Sequence, residues 1–349
     1  MVAYRSSLEA SGAVVDVSPF FDDEYLNALY SGGRGRVPAT LRAYRRRALA
    51  LRRLRRYDVI WVEKELFPFL PGAAERPLAR LGVPYLVDYD DATFHRYDRH
   101  RFWLVRRLLG HRLDGLIRGA EIVTACNAYL ADYARAAGAK RVMLLPTVVD
   151  LEWYRVRPEP AADELRVGWI GSPSTARYLG VVKRPLEVLS GERPVRLVVI
   201  GASDIPDIGV PVERHLWSEA TEAALLADVH LGIMPLLDGD WERGKCGYKL
   251  IQHMACGRPV IASPVGVNTE IVGAETGYLA DDEEQWLQAL RSLAAEPGRR
   301  REQGLAARRV VEAKYSLQVH APTVVTLFSR LAAAARGRRR YGFEPGNGS

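Results

Sequence analysis

The sequence predicts two doubly wound α/β domains in tandem. Two observations predict this class, and a third points to where it acts. Short β-branched runs alternate with helix-like stretches in two successive blocks. Most of these runs lack polar/apolar alternation, as expected when helices cover both faces of a parallel sheet. Finally, a basic turn, RGKCG over 243–247, leads directly into a helix-like segment.

In the first block, AVVDV (13–17), DVIWV (58–62), PYLVDY (84–89), EIVTA (121–125) and RVMLL (141–145) read as buried strands. Helices are expected over 99–118 and 127–137. An unusual segment, LRAYRRRALALRRLRR (41–56), carries eight arginines and places Leu41, Tyr44, Ala48 and Leu51 on one helical face. It is either a surface helix docked by that stripe on its own domain, or a patch, Arg-rich over 42–56, for anionic lipid headgroups. Its aromatics are not interleaved with the basic residues, so nucleic acid is not an expected partner.

In the second block, LRVGWIG (165–171), VRLVVIG (195–201), HLGIMPL (230–236) and PVIAS (259–263) read as strands, with helices over 219–227 and 247–256. The charged stretch WYRVRPEPAADE (153–164), with two prolines, is the expected linker. DEEQWLQALRSLA (282–294) is an amphipathic helix that starts on acidic caps. The expected domains are 1–155 and 163–315, a helix at about 317–336 packing back on the first domain, and a frayed tail at 337–349.

With 48% hydrophobic and 26% charged residues among 349, the chain suits a two-domain globular protein. A net charge of +7 and a pI near 9.3 favour anionic partners. No run approaches the roughly 18 apolar residues of a membrane span, and no signal peptide is expected at the start. Cys126, Cys246 and Cys256 lack metal-ligand spacing, and a cytoplasmic location, peripheral at the inner face of the membrane if the basic helix meets lipid, is expected.

Three segments of the second block carry candidate chemistry. In GWIGSPSTARYL (168–179) a strand ends at Gly171 and Ser172, and a turn enters a helix capped by Ser174 or Thr175. Arg243 and Lys245 precede Gly247, Lys249 follows, and Gln252 lies three residues further on the same face. SPVGVNTE (263–270) is a strand-end turn with Gly266 and Asn268. A helix N-terminus is already partly positive, so cations there make better sense with an anion on it, and a diphosphate is the expected anion.

RGKCGYKLIQHMACGRPVIASPVGVNTEIV, preceded by LADVHLGIMPL, resembles the nucleotide-sugar site of retaining glycosyltransferases of family 4, the group-1 enzymes of GT-B fold. GWIGSPSTARYL is similar to the first strand-turn of that family's second domain, and IWVEKELFPFLP with PYLVDYDDATF resembles a subgroup with an Asp-x-Asp-Asp-Ala signature. The resemblance implies two Rossmann-like domains facing a cleft, and a nucleoside diphosphate sugar as co-substrate with no metal or other cofactor. It also implies transfer to a glycan, lipid-linked or small-molecule acceptor. Gly171, Ser172, Arg177, Arg243, Lys245, Gly247 and Lys249 would then hold the diphosphate, Trp217 and Gln252 the nucleoside, and Gly266 and Asn268 the donor sugar. The chain departs from the family at Gly244 and Gln252, which match a glutamate pair, and at Ser172, where an Arg is usual. Met1 falls where the helix after the family's first strand should begin, so the first strand is expected to be missing or encoded upstream.

VDYDDATFH (87–95) follows a strand, where a site is expected. Asp88-x-Asp90 could be the metal-binding pair of the other glycosyltransferase architecture. In the GT-B reading Asp90 or Asp91 faces the acceptor hydroxyl or donor sugar, with His95 a weaker candidate; the bland alternative is a helix-cap cluster. The expected function is retaining, metal-independent sugar transfer to an acceptor hydroxyl in envelope glycan or polysaccharide synthesis. The alternatives are a catalytically silent nucleotide-sugar binder, an epimerase, or a transferase acting on a soluble metabolite.

Overall fold

The computed structural model describes residues 2–21 and 36–340. Two compact units emerge, 1–145 with 321–349, and 146–320. The last part of the expected tail, 341–349, lies outside the described residues.

The first unit holds a parallel sheet in the order β1 (Ile60–Glu63), β2 (Tyr85–Tyr89), β3 (Ile122–Ala125), β4 (Val142–Leu144). Val87 stands in register between Val62 and Val123, all buried. Four of the five runs read as strands fall on these elements. The fifth, 13–17, does not: it is irregular and Val14 is 90% exposed. A β-branched run becomes a strand only where a ladder takes its backbone, and none among the described residues reaches this one. Its neighbourhood is instead tied to the Arg-rich helix Arg36–Leu51. Arg46 donates to the carbonyls of Pro19 and Phe20, and Arg47 to that of Ser18.

That helix docks by small residues. Ala39 and Ala43 are buried, Tyr44 donates to the Pro68 carbonyl and stacks near Phe67, whereas Leu41 is 65% exposed and Ala48 faces water. The stripe expected from Leu41 and Ala48 is thus rotated toward Ala39, Ala43 and Tyr44. After a short helix, His95–Asp98, the helix expected over 99–118 is two pieces, Trp103–Leu109 and Asp114–Gly119. The break between the last two brings in Arg112, whose guanidinium is buried. It donates to the carbonyls of Leu70 (2.6 Å) and Phe67 (2.5 Å), pairs with Glu65 and Glu75, and lies 4.7 Å from the Tyr97 ring centre.

The second unit holds six parallel strands in the order β10-β9-β8-β5-β6-β7. These are β5 (Leu165–Ile170), β6 (Val195–Ile200), β7 (Val212–His215), β8 (Leu231–Met234), β9 (Val260–Ala262) and β10 (Gly277–Leu279). From β5 the chain winds outward one way through β6 and β7, and the other way through β8 to β10. The strand order therefore reverses between β5 and β8, where ligands of doubly wound sheets sit. β7 and β10 escaped the sequence reading, one because VERH is polar and the other because GYL has no β-branched residue. Trp169 and Trp286 fill the core on one face of the sheet.

The stretch read as a linker, 153–164, is fastened to the second unit. Tyr154 is buried, Arg258 donates to the carbonyls of Arg157 and Pro158, and Arg300 grips Glu159 through two bonds of 3.0 and 2.8 Å. Buried guanidinium groups that satisfy backbone carbonyls make such a connector rigid.

His253, on the helix Tyr248–Ala255, is fully buried and neither ring nitrogen has a hydrogen-bond partner. It sits where Gly168 and Gly232 leave room: a Cβ on Gly232 would come within 2.2 Å of its ring. Burial pushes its pKa down from 6.5 to about 3, with Arg258 and Lys249 adding to the shift. The unfolded chain therefore takes up a proton near pH 6.5 that the folded chain refuses until about 3, and stability falls as pH drops through that window. The slope is about 1.4 kcal/mol per pH unit. His253→Leu is expected to leave stability at pH 7.5 equal or higher and to flatten this acid limb, measured as urea midpoints at pH 7.5 and 5.5. Parallel curves for variant and parent would refute it.

Candidate functional site

The carboxyl ends of β5, β6, β8 and β9 collect the three segments singled out in the sequence. β5 delivers Gly171, whose N–H donates to the Ile200 carbonyl of β6. A side chain here is excluded: a Cβ would lie 2.6 Å from the Trp169 ring and 2.7 Å from Lys249 Nζ. The chain then turns at Ser172 into the expected helix, which is a 3-10 helix, Pro173–Val182. Neither Ser174 nor Thr175 caps it through its side chain; Thr175 instead donates its hydroxyl to the Ser172 carbonyl.

The basic turn meets this strand end through Lys249. Its ammonium donates to Thr175 Oγ1 at 3.2 Å and lies 4.7 Å from the centre of the Trp169 ring. Gly247 makes the approach possible: its φ of +66° is left-handed, and a Cβ would strike Ile271 at 2.2 Å. Gly266 likewise has φ +54° and packs against the backbone of Arg243, which joins the second and third segments. Asn268 is buried and donates its amide to the Ser263 carbonyl at 3.0 Å, so it braces this turn.

The other cations are placed differently. Arg243 holds Asp238 through a two-pronged pair of 2.7 and 2.8 Å, which pulls the Asp238 carboxyl below its usual pKa. Arg177 is mostly exposed and approaches Glu242 at 3.5 Å, and Glu242 also accepts from the Tyr178 hydroxyl. Lys245 is half-buried. Of the expected phosphate cations, Lys249 reaches the β5 turn by its hydrogen bond to Thr175.

Beside Gly171 the loops after β6 and β7 meet. Gly201 (φ +93°) packs under the Gly171 carbonyl and the Trp217 side chain. Trp217 is exposed, and its indole N–H donates to Glu222, which also accepts from the Tyr154 hydroxyl. Gln252, buried, donates to Tyr154 at 3.0 Å. Trp217 and Gln252, expected at the nucleoside, thus belong to one network with Glu222 and Tyr154. Sequence reading missed those two, and Glu242; the signal for Glu222 was its position five residues after Trp217, opening a helix at the same sheet edge.

In the first unit, Lys64 follows β1 with φ +64°, an uncommon conformation for a residue with a side chain, and binds Asp90 at 2.7 Å. Burial opposes the Lys64 charge, but Asp90 and Asp91 outweigh it and raise its pKa. Asp91 offers its carbonyl to the Thr93 N–H at 2.8 Å. Asp88, by contrast, accepts from the Thr124 hydroxyl within the sheet, and burial pushes its pKa up to about 6 despite that bond. Asp88 and Asp90 therefore have separate partners. His95 has both ring nitrogens engaged, Nδ1 with Asp98 and Nε2 with the Tyr129 hydroxyl, each at 2.8 Å. Such a ring is clamped from both sides, which suits a bracing role. Among the described residues no helix is long and apolar enough to cross a membrane.

Comparison with known proteins agrees with this layout. Residues 7–147 match the family described as glycosyl transferase 4-like domain, and residues 170–296 the family described as glycosyl transferases group 1. No curated protein matches the sequence well enough to count. Among solved structures, sucrose-phosphate synthase from Thermosynechococcus elongatus superposes with a TM-score of 0.66 at 20% identity, over 86% of this chain and 80% of that one. Anabaena HepE in complex with UDP-glucose gives 0.62 at 15% identity, over 95% and 89%. A glycosyltransferase from Rickettsia africae gives 0.58 at 12% identity, over 82% and 80%. Two parallel α/β units, the strand-order reversal at Gly171 and these matches together show a GT-B glycosyltransferase, a 4-like domain followed by a group-1 domain.

Proposed function

We propose that the protein transfers a sugar from a nucleoside diphosphate sugar to an acceptor hydroxyl with retention of configuration, in the synthesis of an envelope glycan or polysaccharide. The observation that carries this reading is the convergence of Lys249, Gly171 and the Ser172–Thr175 turn at the strand-order reversal of the second unit. A diphosphate placed there meets an ammonium group and a side-chain-free strand end. As the bond from the sugar's anomeric carbon to the phosphate breaks, negative charge grows on the diphosphate, and a cation aimed at it favours the transition state over the ground state. The acceptor oxygen forms the new bond, and its proton passes to the leaving phosphate oxygen. No side-chain base, metal ion or organic cofactor is needed for that step.

In the same reading Arg177 and Arg243 reinforce the diphosphate once a ligand draws them from Glu242 and Asp238, and Lys245 adds a further cation. Trp217 supplies a face for the base, and the Gln252–Tyr154–Glu222 network faces the ribose. Gly266 lets the chain pass close to the donor sugar, with Asn268 holding that turn. Asp90 and Asp91 serve the acceptor hydroxyl, with Lys64 steadying Asp90 and His95 bracing the turn behind them. HepE, which shares the fold, binds UDP and UDP-glucose, so uridine is the first base to test.

The test is a thermal-shift panel of UDP, GDP, ADP and TDP, each with and without chelator, followed by hydrolysis of the matching sugar donors. One diphosphate is expected to stabilise the protein, by about 2.7 kcal/mol at a hundred times its Kd, unaffected by chelator. Binding without any turnover would instead favour a silent nucleotide-sugar binder, and no shift with any of the four would refute the site.

A further inference from the structure

We infer that the segment 101–108 of the first unit is a docking element for an anionic membrane surface. Phe102, Trp103, Leu104 and Leu108 are 56, 63, 50 and 65% exposed, four large apolar side chains within seven residues. They are not a frayed end. The helix Trp103–Leu109 buries Leu109 beneath them, and Leu113 and Leu116 just beyond are also buried. Arg112, fixed by its four hydrogen bonds, ties the base of this element to the loop carrying Phe69 and Leu70, themselves exposed. The apolar side chains therefore stand on a rigid platform, and monomers rarely leave such clusters in water without a partner.

Charge chooses the partner. Residues 99–111 contain four arginines and two histidines and no acidic residue. Arg101 lies 4.5 Å from the Phe102 ring centre, and Arg107 is exposed on the helix. The nearest acids along the chain are Asp98, bound to His95, and Asp114, 3.4 Å from His111, both outside the apolar cluster. Arginines beside Trp, Phe and Leu at one surface fit the boundary between headgroups and acyl chains, where aromatic rings partition and cations meet anionic lipid. A protein partner would be expected to bury such a cluster with acids of its own, and nothing here favours one. The Arg-rich helix Arg36–Leu51 is a poorer candidate, because its exposed large apolar side chains, Val37, Leu41 and Leu49, are spread along the helix and include no aromatic ring.

Sedimentation of the full chain with vesicles tests this, independently of which donor it uses. With phosphatidylcholine containing a third phosphatidylglycerol, the protein is expected to co-sediment, at least about tenfold more than with phosphatidylcholine alone, and less as salt rises. The double variants Trp103→Ser/Leu108→Ser and Arg101→Glu/Arg107→Glu should each lower partitioning by about tenfold or more while the melting temperature stays near that of the parent, since these side chains are exposed. No binding, equal binding to neutral vesicles, or binding that survives both double variants would overturn the assignment. So would self-association abolished by the Trp103→Ser/Leu108→Ser variant without vesicle binding, which would give the patch to a second copy.

Discussion

Replacing Arg112 with methionine is expected to lower the unfolding free energy by roughly 3–5 kcal/mol, the usual range when one partner of a buried charge network is removed. Methionine fills much of the space but donates nothing. It would strand the Glu65 and Glu75 carboxylates and leave the carbonyls of Phe67 and Leu70 without their donor. Burial already raises the Glu75 carboxyl to about 7 even with the guanidinium beside it, so loss of that cation removes what keeps it charged. The loop involved is also the one with Phe69 at φ +59°, a conformation a local clamp must hold. Arg112→Lys should recover little, because a point ammonium cannot reach two carbonyls and two carboxylates from one plane. A urea midpoint that moves by less than the equivalent of about 1 kcal/mol in both variants would show that the network is dispensable. Adding Glu65→Gln and Glu75→Gln to Arg112→Met should regain part of the loss, since the stranded charges then disappear.

That network marks a limit of what the sequence discloses. Arg112 lies in a stretch whose apolar spacing suggests one long helix over 99–118, and nothing local says that the chain breaks to bury an arginine. Its partners are 37 to 47 residues away in sequence. The same holds for Arg258 and Arg300, which pin the connector that proline and charge content alone mark as a linker. A basic residue reads as solvent-facing until the fold supplies buried acceptors. Periodicity carries the strands well because parallel sheets bury both faces, which makes β2, β3, β5, β6, β8 and β9 locally apolar. The run 13–17 shows the converse: its composition is right, but pairing is a long-range property.

At the candidate site, the residues with backbone reasons were the legible ones. Gly171, Gly247 and Gly266 stood out because tight strand-end turns require them, and the structure shows a neighbour that would collide with a side chain at each. Charged side chains were less legible, since a cation's partner depends on the fold. Arg243 turned to Asp238, while Lys249 crossed to the β5 turn. Gln252 could be placed on the right helical face by spacing, but Tyr154 and Glu222, its network, come from two other elements and no motif announces them.

Lys249→Ala is expected to weaken nucleoside diphosphate binding at least tenfold, about 1.4 kcal/mol, with little effect on folding. The ammonium lies over the Trp169 ring and bonds the Thr175 hydroxyl beside Gly171, so an anion entering there meets its positive charge. A nucleoside without phosphates should bind the variant and parent alike, because it brings no phosphate charge for the ammonium to meet. Gly171→Ala should do more. Its methyl group would fall 2.6 Å from the rigid, buried Trp169 ring, so either the ring or the strand end must shift, and it would displace the flexible end of Lys249. Overpacking of this kind typically costs about 1–3 kcal/mol of stability, and diphosphate binding should be lost along with it. Titrations of both variants with the preferred diphosphate and its nucleoside, alongside urea melts, separate the two effects. If Lys249→Ala leaves diphosphate affinity unchanged in a folded protein, the phosphate lies elsewhere and the site built on β5 is wrong. If it weakens nucleoside and diphosphate equally, the lysine shapes the pocket rather than neutralising the departing phosphate.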